Sequence, residues 1–199
     1  IGQAMQAAAL LLSRKDKVST DANIHATQLI EFFIGNCLSP QGIPRTWFDI
    51  TGPGTVRWRS YESYLRVIVD GLYAILQADS AARKNGITHS GWRPFVIKVV
   101  DKLLGYQASD GGFPRAWNHN GSVFNASTTN TSHIIPLLVD LFTITKQPRY
   151  HDAALLAGQH VIANQVATYN FVGGTPDNPD VIDKEAGVKA LSALLALYD

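Results

Sequence analysis

The long loops of this chain and the helix starts beside them offer six acids, four arginines and two histidines, the residue types from which acid–base chemistry is built. The acids are Asp49, Asp110, Asp177, Asp180, Asp183 and Glu185; the cations are Arg45, Arg57, Arg59 and Arg115; the proton carriers are His119 and His133. Two carboxylates about 5–9.5 Å apart, one of them protonated, cleave a glycosidic bond. Abstraction of a proton beside a carboxylate needs instead a base and a cation that neutralises the acid group. The candidates for catalysis are Asp177, Asp180, Asp110 and His119. Asp177 and Asp180 each follow a proline, although the intervening Asn178-Pro179 is also turn chemistry. Asp110 precedes Gly111-Gly112, so a turn aspartate bonding its own backbone is the competing role. Asp183 stands where a helix begins and is expected to cap it. The candidates for holding a substrate are Arg45, Trp47, Arg115, Trp117 and Tyr64. A guanidinium fork matches a carboxylate or sulfate, and an aromatic plane matches the C–H face of a sugar ring. For the arginines the rival role is bonding loop carbonyls, and for the tryptophans packing a loop onto a helix end. His133, at the head of an apolar helix, is expected to be a hydrogen-bonded core residue.

Helices must position these groups. Helical periodicity runs over approximately residues 3–14, 21–37, 92–107, 132–145, 149–167 and 183–198, and most clearly where Tyr61, Leu65, Ile68, Leu72 and Ile75 fall on one stripe. Asn85-Gly86 ends one helix, Ser90 can cap the next, Pro148 opens a later one, and Asp183 caps the last with Glu185 in its first turn. No convincing strand pattern competes. Links 15–20, 85–91 and 146–148 are short, whereas 38–60, 108–131 and 168–182 are long. Short links force antiparallel neighbours, and in an up-and-down series every second connection lies at the same end. The long loops, and function with them, therefore belong to one face. Gly42-Ile43-Pro44-Arg45-Thr46-Trp47 and Gly112-Phe113-Pro114-Arg115-Ala116-Trp117 repeat one another, with a shadow in Gly174-Thr175-Pro176-Asp177. Repeats of two helices each predict a ring or solenoid of hairpins, because one hairpin cannot cover its own apolar face. Helices 134–142 and 186–197 are apolar nearly all round, as inner helices covered on both sides should be.

The run Tyr106-Gln107-Ala108-Ser109-Asp110-Gly111-Gly112-Phe113-Pro114-Arg115-Ala116-Trp117 resembles a recurrent loop of the six-hairpin glycosidase-like superfamily. The stretch from Phe171 to Gly187 looks like a loop and helix start of the same sugar-active toroids, and the likeness extends over about residues 60–199. Gln-x-x-Asp-Gly-Gly is also similar to the repeat of terpene cyclases and prenyltransferases, whose aspartate-rich acid motif is not evident here. The resemblance implies an all-α fold of antiparallel helical hairpins, a partial or complete α/α toroid. It also implies a polysaccharide or oligosaccharide as partner, with a glycosidic bond hydrolysed or eliminated in a cleft between the long loops. A non-catalytic glycan- or protein-binding repeat and an isoprenoid-processing toroid are the alternatives. A full ring of six hairpins needs twelve helices against seven counted here, so the chain reads as one toroid domain, 1–199, that is incomplete.

Composition narrows the classes further. With 46% hydrophobic and 17% charged residues, the chain has enough apolar material for a core. Seventeen basic against sixteen acidic residues, without a basic run, disfavour nucleic acid and membrane surfaces as partners. No apolar stretch reaches the roughly 20 residues of a membrane span. The single Cys37 excludes an internal disulfide, no metal is called for by histidine or acid spacing, and no glycine loop for a nucleotide cofactor occurs. Asn120-Gly-Ser, Asn125-Ala-Ser and Asn130-Thr-Ser are glycosylation triplets marking an exposed polar loop. Alone they prove nothing about secretion; an extracellular or periplasmic setting is the expectation, a cytoplasmic one the alternative, and oligomeric state is left open. A chain opening at Ile1 without a leader reads as a mature product or a fragment.

Overall fold

Amphipathic stripes of the expected period fold into seven α-helices among the residues described by the computed structural model, which are 1–14, 19–51, 56–174 and 181–198. They are α1 (Gly2–Ser13), α2 (Thr20–Asn36), α3 (Leu65–Lys84), α4 (Trp92–Leu104), α5 (Ile135–Thr145), α6 (Pro148–Val161) and α7 (Lys184–Tyr198). Five short strands punctuate the loops: β1 (Phe48–Asp49), β2 (Arg57–Trp58), β3 (Ser63–Tyr64), β4 (Ala116–Trp117) and β5 (Val123–Asn125). β1 pairs with β2 and β4 with β5, both antiparallel. Strands of two or three residues carry no readable alternation, which is why the sequence shows none of them. The helix periods were legible because each presents several turns to the core.

Contacts gather into two units, each drawn from separate stretches of chain. The first comprises Ile1–Ser63, Val67–Lys102 and Asn118–Ser122. In it α1 packs on α2, and Met5, Ile30, Phe33, Leu72, Ile75, Val96 and Val99 form the buried core. Phe33 meets Phe95 edge to face at 5.8 Å between centroids. A charge lies inside this core: Asp79 is fully buried, and its Oδ2 accepts from both Arg83 (2.8 Å) and Arg93 (2.6 Å). Tyr61 was expected on the core stripe of α3. It precedes that helix instead and is exposed, since the chain is extended up to Tyr64 before it turns helical.

The second unit holds Tyr64–Arg66, Leu103–Trp117 and Val123–Asp199. Here α5 packs against α6 and α7, and Ile135, Leu137, Leu138 and Leu141 of α5 are wholly buried. Gly158 lets α7 come close, for a Cβ there would lie 2.4 Å from Leu197 Cδ1. α7 was expected to be covered on both sides. Ala186, Ala190 and Ala193 are buried, but Val188, Leu191, Leu195 and Tyr198 form an exposed stripe on the other face. Pro148 begins α6 and Asp183 caps α7 by accepting the Ala186 amide at 2.8 Å, as the sequence predicts. No helix among the described residues is long and apolar enough to cross a membrane.

The two glycines of the Asp-Gly-Gly turn are steric requirements of the second unit. Gly111 has φ +91°, and a Cβ on it would sit 2.2 Å from the Leu156 carbonyl oxygen of α6. Gln107 ties the same turn down by donating from Nε2 to the carbonyls of Gly111 (3.2 Å) and Ala153 (3.0 Å). Gly111→Ala is therefore expected to cost roughly 2–3 kcal/mol, from left-handed strain together with displacement of the turn from α6. Urea unfolding of the two proteins in parallel measures it, and a change below about 0.5 kcal/mol would mean that the turn is not anchored there.

Candidate functional site

The long loops meet one another inside each unit. In the second unit the body of loop 108–131 is joined to the described ends of loop 168–182. Arg115 donates from Nη1 to the Gly173 carbonyl (3.0 Å) and to Thr129 Oγ1 (3.0 Å), and Asn130 donates to the same Gly173 carbonyl at 2.7 Å. Gly174 in turn donates its amide to Asp183 Oδ2 (2.8 Å), and Arg66 bonds both the Gly174 carbonyl and Glu185. Asp183 and Glu185 are thus committed, the first to its cap and the second to an arginine.

Beneath this joint lies His133. It stands at the end of a short 3-10 turn, Thr131–His133, that leads into α5, and only 6% of it is exposed. Neither ring nitrogen has a proper hydrogen-bond partner among the described residues. Burial lowers its pKa most, the charges of Lys189, Arg66 and Arg115 lower it further, and only the nearby Asn130 carbonyl opposes them, so it is brought from 6.5 to about 3. The ring is neutral at physiological pH. The expectation of a satisfied core histidine gives way here to a buried imidazole with both nitrogens unengaged, beside three cations. Sequence could not show this, because Arg66 and Lys189 look like ordinary helix-surface charges.

A titration test follows from that environment. A folded-state pKa below the unfolded value makes the unfolded chain bind the extra proton, so stability is complete above about pH 6.5 and is lost as pH falls toward about 3. The slope from this one group is about 1.4 kcal/mol per pH unit. Urea unfolding at about pH 7 and about pH 5 should show the native protein losing roughly 2 kcal/mol more than His133→Phe does. Parallel losses in the two proteins would contradict the neutral ring.

Behind the same loop is a second polar group. Asp110 accepts the Gly112 amide at 3.0 Å, the turn role that competed with catalysis, and this bond, before the charge of His160, lowers its pKa. Its Oδ2 lies 3.3 Å from Nδ1 of the buried His160, whose Nε2 is 2.9 Å from Thr128 Oγ1.

Of the residues expected to hold a substrate, Trp117 is a correction: it is 0% exposed and packs against Tyr106, so no face is left for a sugar. Arg115 is also 0% exposed and joins loop to loop, which removes it as a surface fork for a ligand. Arg45 bonds the carbonyls of Asn36, Cys37 and Leu38, the structural alternative weighed for it. Trp47, by contrast, is 59% exposed and stands edge to face with the exposed Tyr61, 5.6 Å between centroids. The repeat of the two loops therefore preserves the buried apolar residue, Ile43 or Phe113, but not the tryptophan's surroundings. Tyr64 is half-buried at the start of the second unit. His119 lies in the first unit; burial first and Arg45 second lower its pKa, against the opposing Tyr61 carbonyl and Glu62. Asp177 and Asp180 lie outside the described residues. Asn130, expected in an exposed loop as a glycosylation acceptor, is buried with its amide donated to Gly173, so folding withdraws it.

Helical hairpins in each unit give the chain an all-α fold, the class to which the α/α toroids belong. A solved structure, cellobiose 2-epimerase from Spirochaeta thermophila DSM 6192, superposes with TM-score 0.68 over 98% of this chain at 11% identity. This chain spans 50% of that one, half its length. No family model and no curated protein matches the sequence.

Proposed function

We propose that the protein acts on an acidic saccharide by proton abstraction, as in β-elimination of a uronate, with His133 as the base. The observation that carries this reading is the neutral, buried imidazole of His133, whose ring nitrogens have no well-formed hydrogen bond among the described residues, beside Arg66, Arg115 and Lys189. The fold shared with a cellobiose epimerase supports a sugar as the substrate class. A sugar carboxylate that displaces Glu185 from Arg66 and lies near Lys189 would be neutralised there, which makes the hydrogen on the adjacent carbon more acidic. His133 takes that proton, the C–H electron pair becomes the new C=C bond, and the glycosidic oxygen on the next carbon leaves and is protonated. The cations that depress the ring's proton affinity are offset by the bound carboxylate, so the base strengthens when substrate arrives.

Hydrolysis would need two free carboxylates. Of the candidate acids in the second unit, Asp183 and Glu185 are engaged, Asp110 holds its turn, and Asp177 and Asp180 lie outside the described residues, so the reading as elimination rests on His133. Incubating the protein with oligogalacturonate and oligomannuronate, and following ultraviolet absorbance of the conjugated enoate beside reducing ends, tests this. Both signals should rise together. Reducing ends without unsaturation would assign hydrolysis, and binding without either signal would assign a glycan-binding repeat.

A further inference from the structure

We infer that a second site, formed by residues 126–129 and the C-terminal end of α6, binds an uncharged polyhydroxylated ring, one pyranose unit. The inference stands on a cavity of about 340 Å³ in the second unit, formed where the segment that follows β5 faces the C-terminal end of α6. Ser127, Thr128, His160, Asn164, Gln165 and Asn170 supply its polar lining. The volume falls within the range of small-ligand pockets, about 300–1,000 Å³.

Three further observations distinguish it from a surface dent. First, α6 does not end in a normal turn: Ile162–Val166 is a π-helical turn, with the Ala167 amide donating to the Ile162 carbonyl at 2.9 Å. Wide turns of this kind are uncommon and recur at functional sites. Second, that turn carries Gln165, only 4% exposed, which donates from Nε2 to the Thr129 carbonyl at 2.9 Å. Because Thr129 offers a carbonyl, the amide orientation is determined, and Gln165 Oε1 is left as a buried acceptor with no donor among the described residues. Third, Gly112 holds the back wall open, since a Cβ there would approach Thr128 Cγ2 to 2.7 Å and His160 Cε1 to 2.9 Å.

The chemistry of the lining selects the ligand. Apart from His160 it presents only hydroxyls and amides, and Asp110, the one carboxylate near that ring, stands behind it in a turn. Among the described residues no guanidinium or ammonium lines the cavity to neutralise an anion, in contrast to the surroundings of His133. A ligand that exchanges hydroxyl bonds with Asn164, Asn170 and Ser127, and whose entry turns the enclosed Gln165 Oε1 toward a further hydroxyl, satisfies this set. A neutral sugar ring has that pattern of donors and acceptors.

The site does not depend on the elimination chemistry, and its test is separable from it. Glucose, galactose and cellobiose are titrated into the protein while the side-chain amides of Asn164, Gln165 and Asn170 are followed by nitrogen–proton NMR, with glucuronate as the charged control. At least one neutral sugar should shift these amides saturably and in preference to glucuronate. Gln165→Leu should weaken that binding by at least about tenfold, since a site built around a hydroxyl acceptor loses its selectivity when the acceptor goes. His133→Phe should leave it unchanged. Should Gln165→Leu not fold, Asn164→Ala, at an exposed position, is read by the same loss. Absence of saturable shifts with all three sugars, or binding that survives both cavity substitutions, would overturn the assignment.

Discussion

Arg115→Ala should lower the unfolding free energy by roughly 3–5 kcal/mol, a large share of the 5–15 kcal/mol typical of a folded domain. The side chain is fully buried, so its removal leaves a void the size of an arginine, and Thr129 Oγ1 and the Gly173 carbonyl lose a charged donor. Each bond to a charged group is worth about 1.5–3 kcal/mol, and the void adds to that. Desolvation of the guanidinium opposes these gains. Arg115→Met separates the two effects, for it fills the space without the charge and is expected to fall between wild type and alanine. In guanidinium chloride the midpoints should order as wild type, methionine, alanine with an unchanged slope. A methionine variant as stable as wild type would show that packing alone holds the two loops together.

His133→Phe should have effects of opposite sign on stability and on turnover. The native ring carries two buried nitrogens without proper partners among the described residues. An apolar ring in the same place removes a desolvation cost of about 1–3 kcal/mol, so the variant should unfold later than the native protein. Loss of the base should reduce turnover on the uronate by roughly 10²–10⁴-fold. A merely structural histidine would behave otherwise, with stability and activity falling together. An exchange of stability for chemistry is what a functional site held at a cost to the fold produces.

Why the fold was readable and the site only partly so follows from the range of the interactions. Helix stripes such as Leu65, Ile68, Leu72 and Ile75 repeat locally, and caps such as Asp183 act within three residues. Gln107, Gly111 and Gly112 were visible as a motif, but their purpose, fitting a turn onto the backbone of α6, depends on Ala153 and Leu156, some forty residues on. Matching Arg45-x-Trp47 with Arg115-x-Trp117 was sound as a repeat and misleading as chemistry. One tryptophan is open to solvent and the other is enclosed beside Tyr106. Gln165 had no local signal, and His133 was visible only as a histidine at the head of an apolar helix. Their unpartnered atoms arise from which groups surround them in space, and Arg66, Lys189 and Thr129 reach them from distant positions in the chain. Asp177 and Asp180, bounded by prolines, were the acids the loop chemistry singled out, and their positions fall outside the described residues.

The most direct test of His133 as a base poised for an acidic sugar is its own titration, followed by long-range nitrogen–proton NMR of the imidazole with and without digalacturonate. Without ligand the ring should remain neutral down to low pH, and with saturating ligand its midpoint should rise as the carboxylate offsets Arg66 and Lys189. A midpoint unmoved by a ligand that demonstrably binds would contradict the proposal, because the sugar's charge would then lie elsewhere.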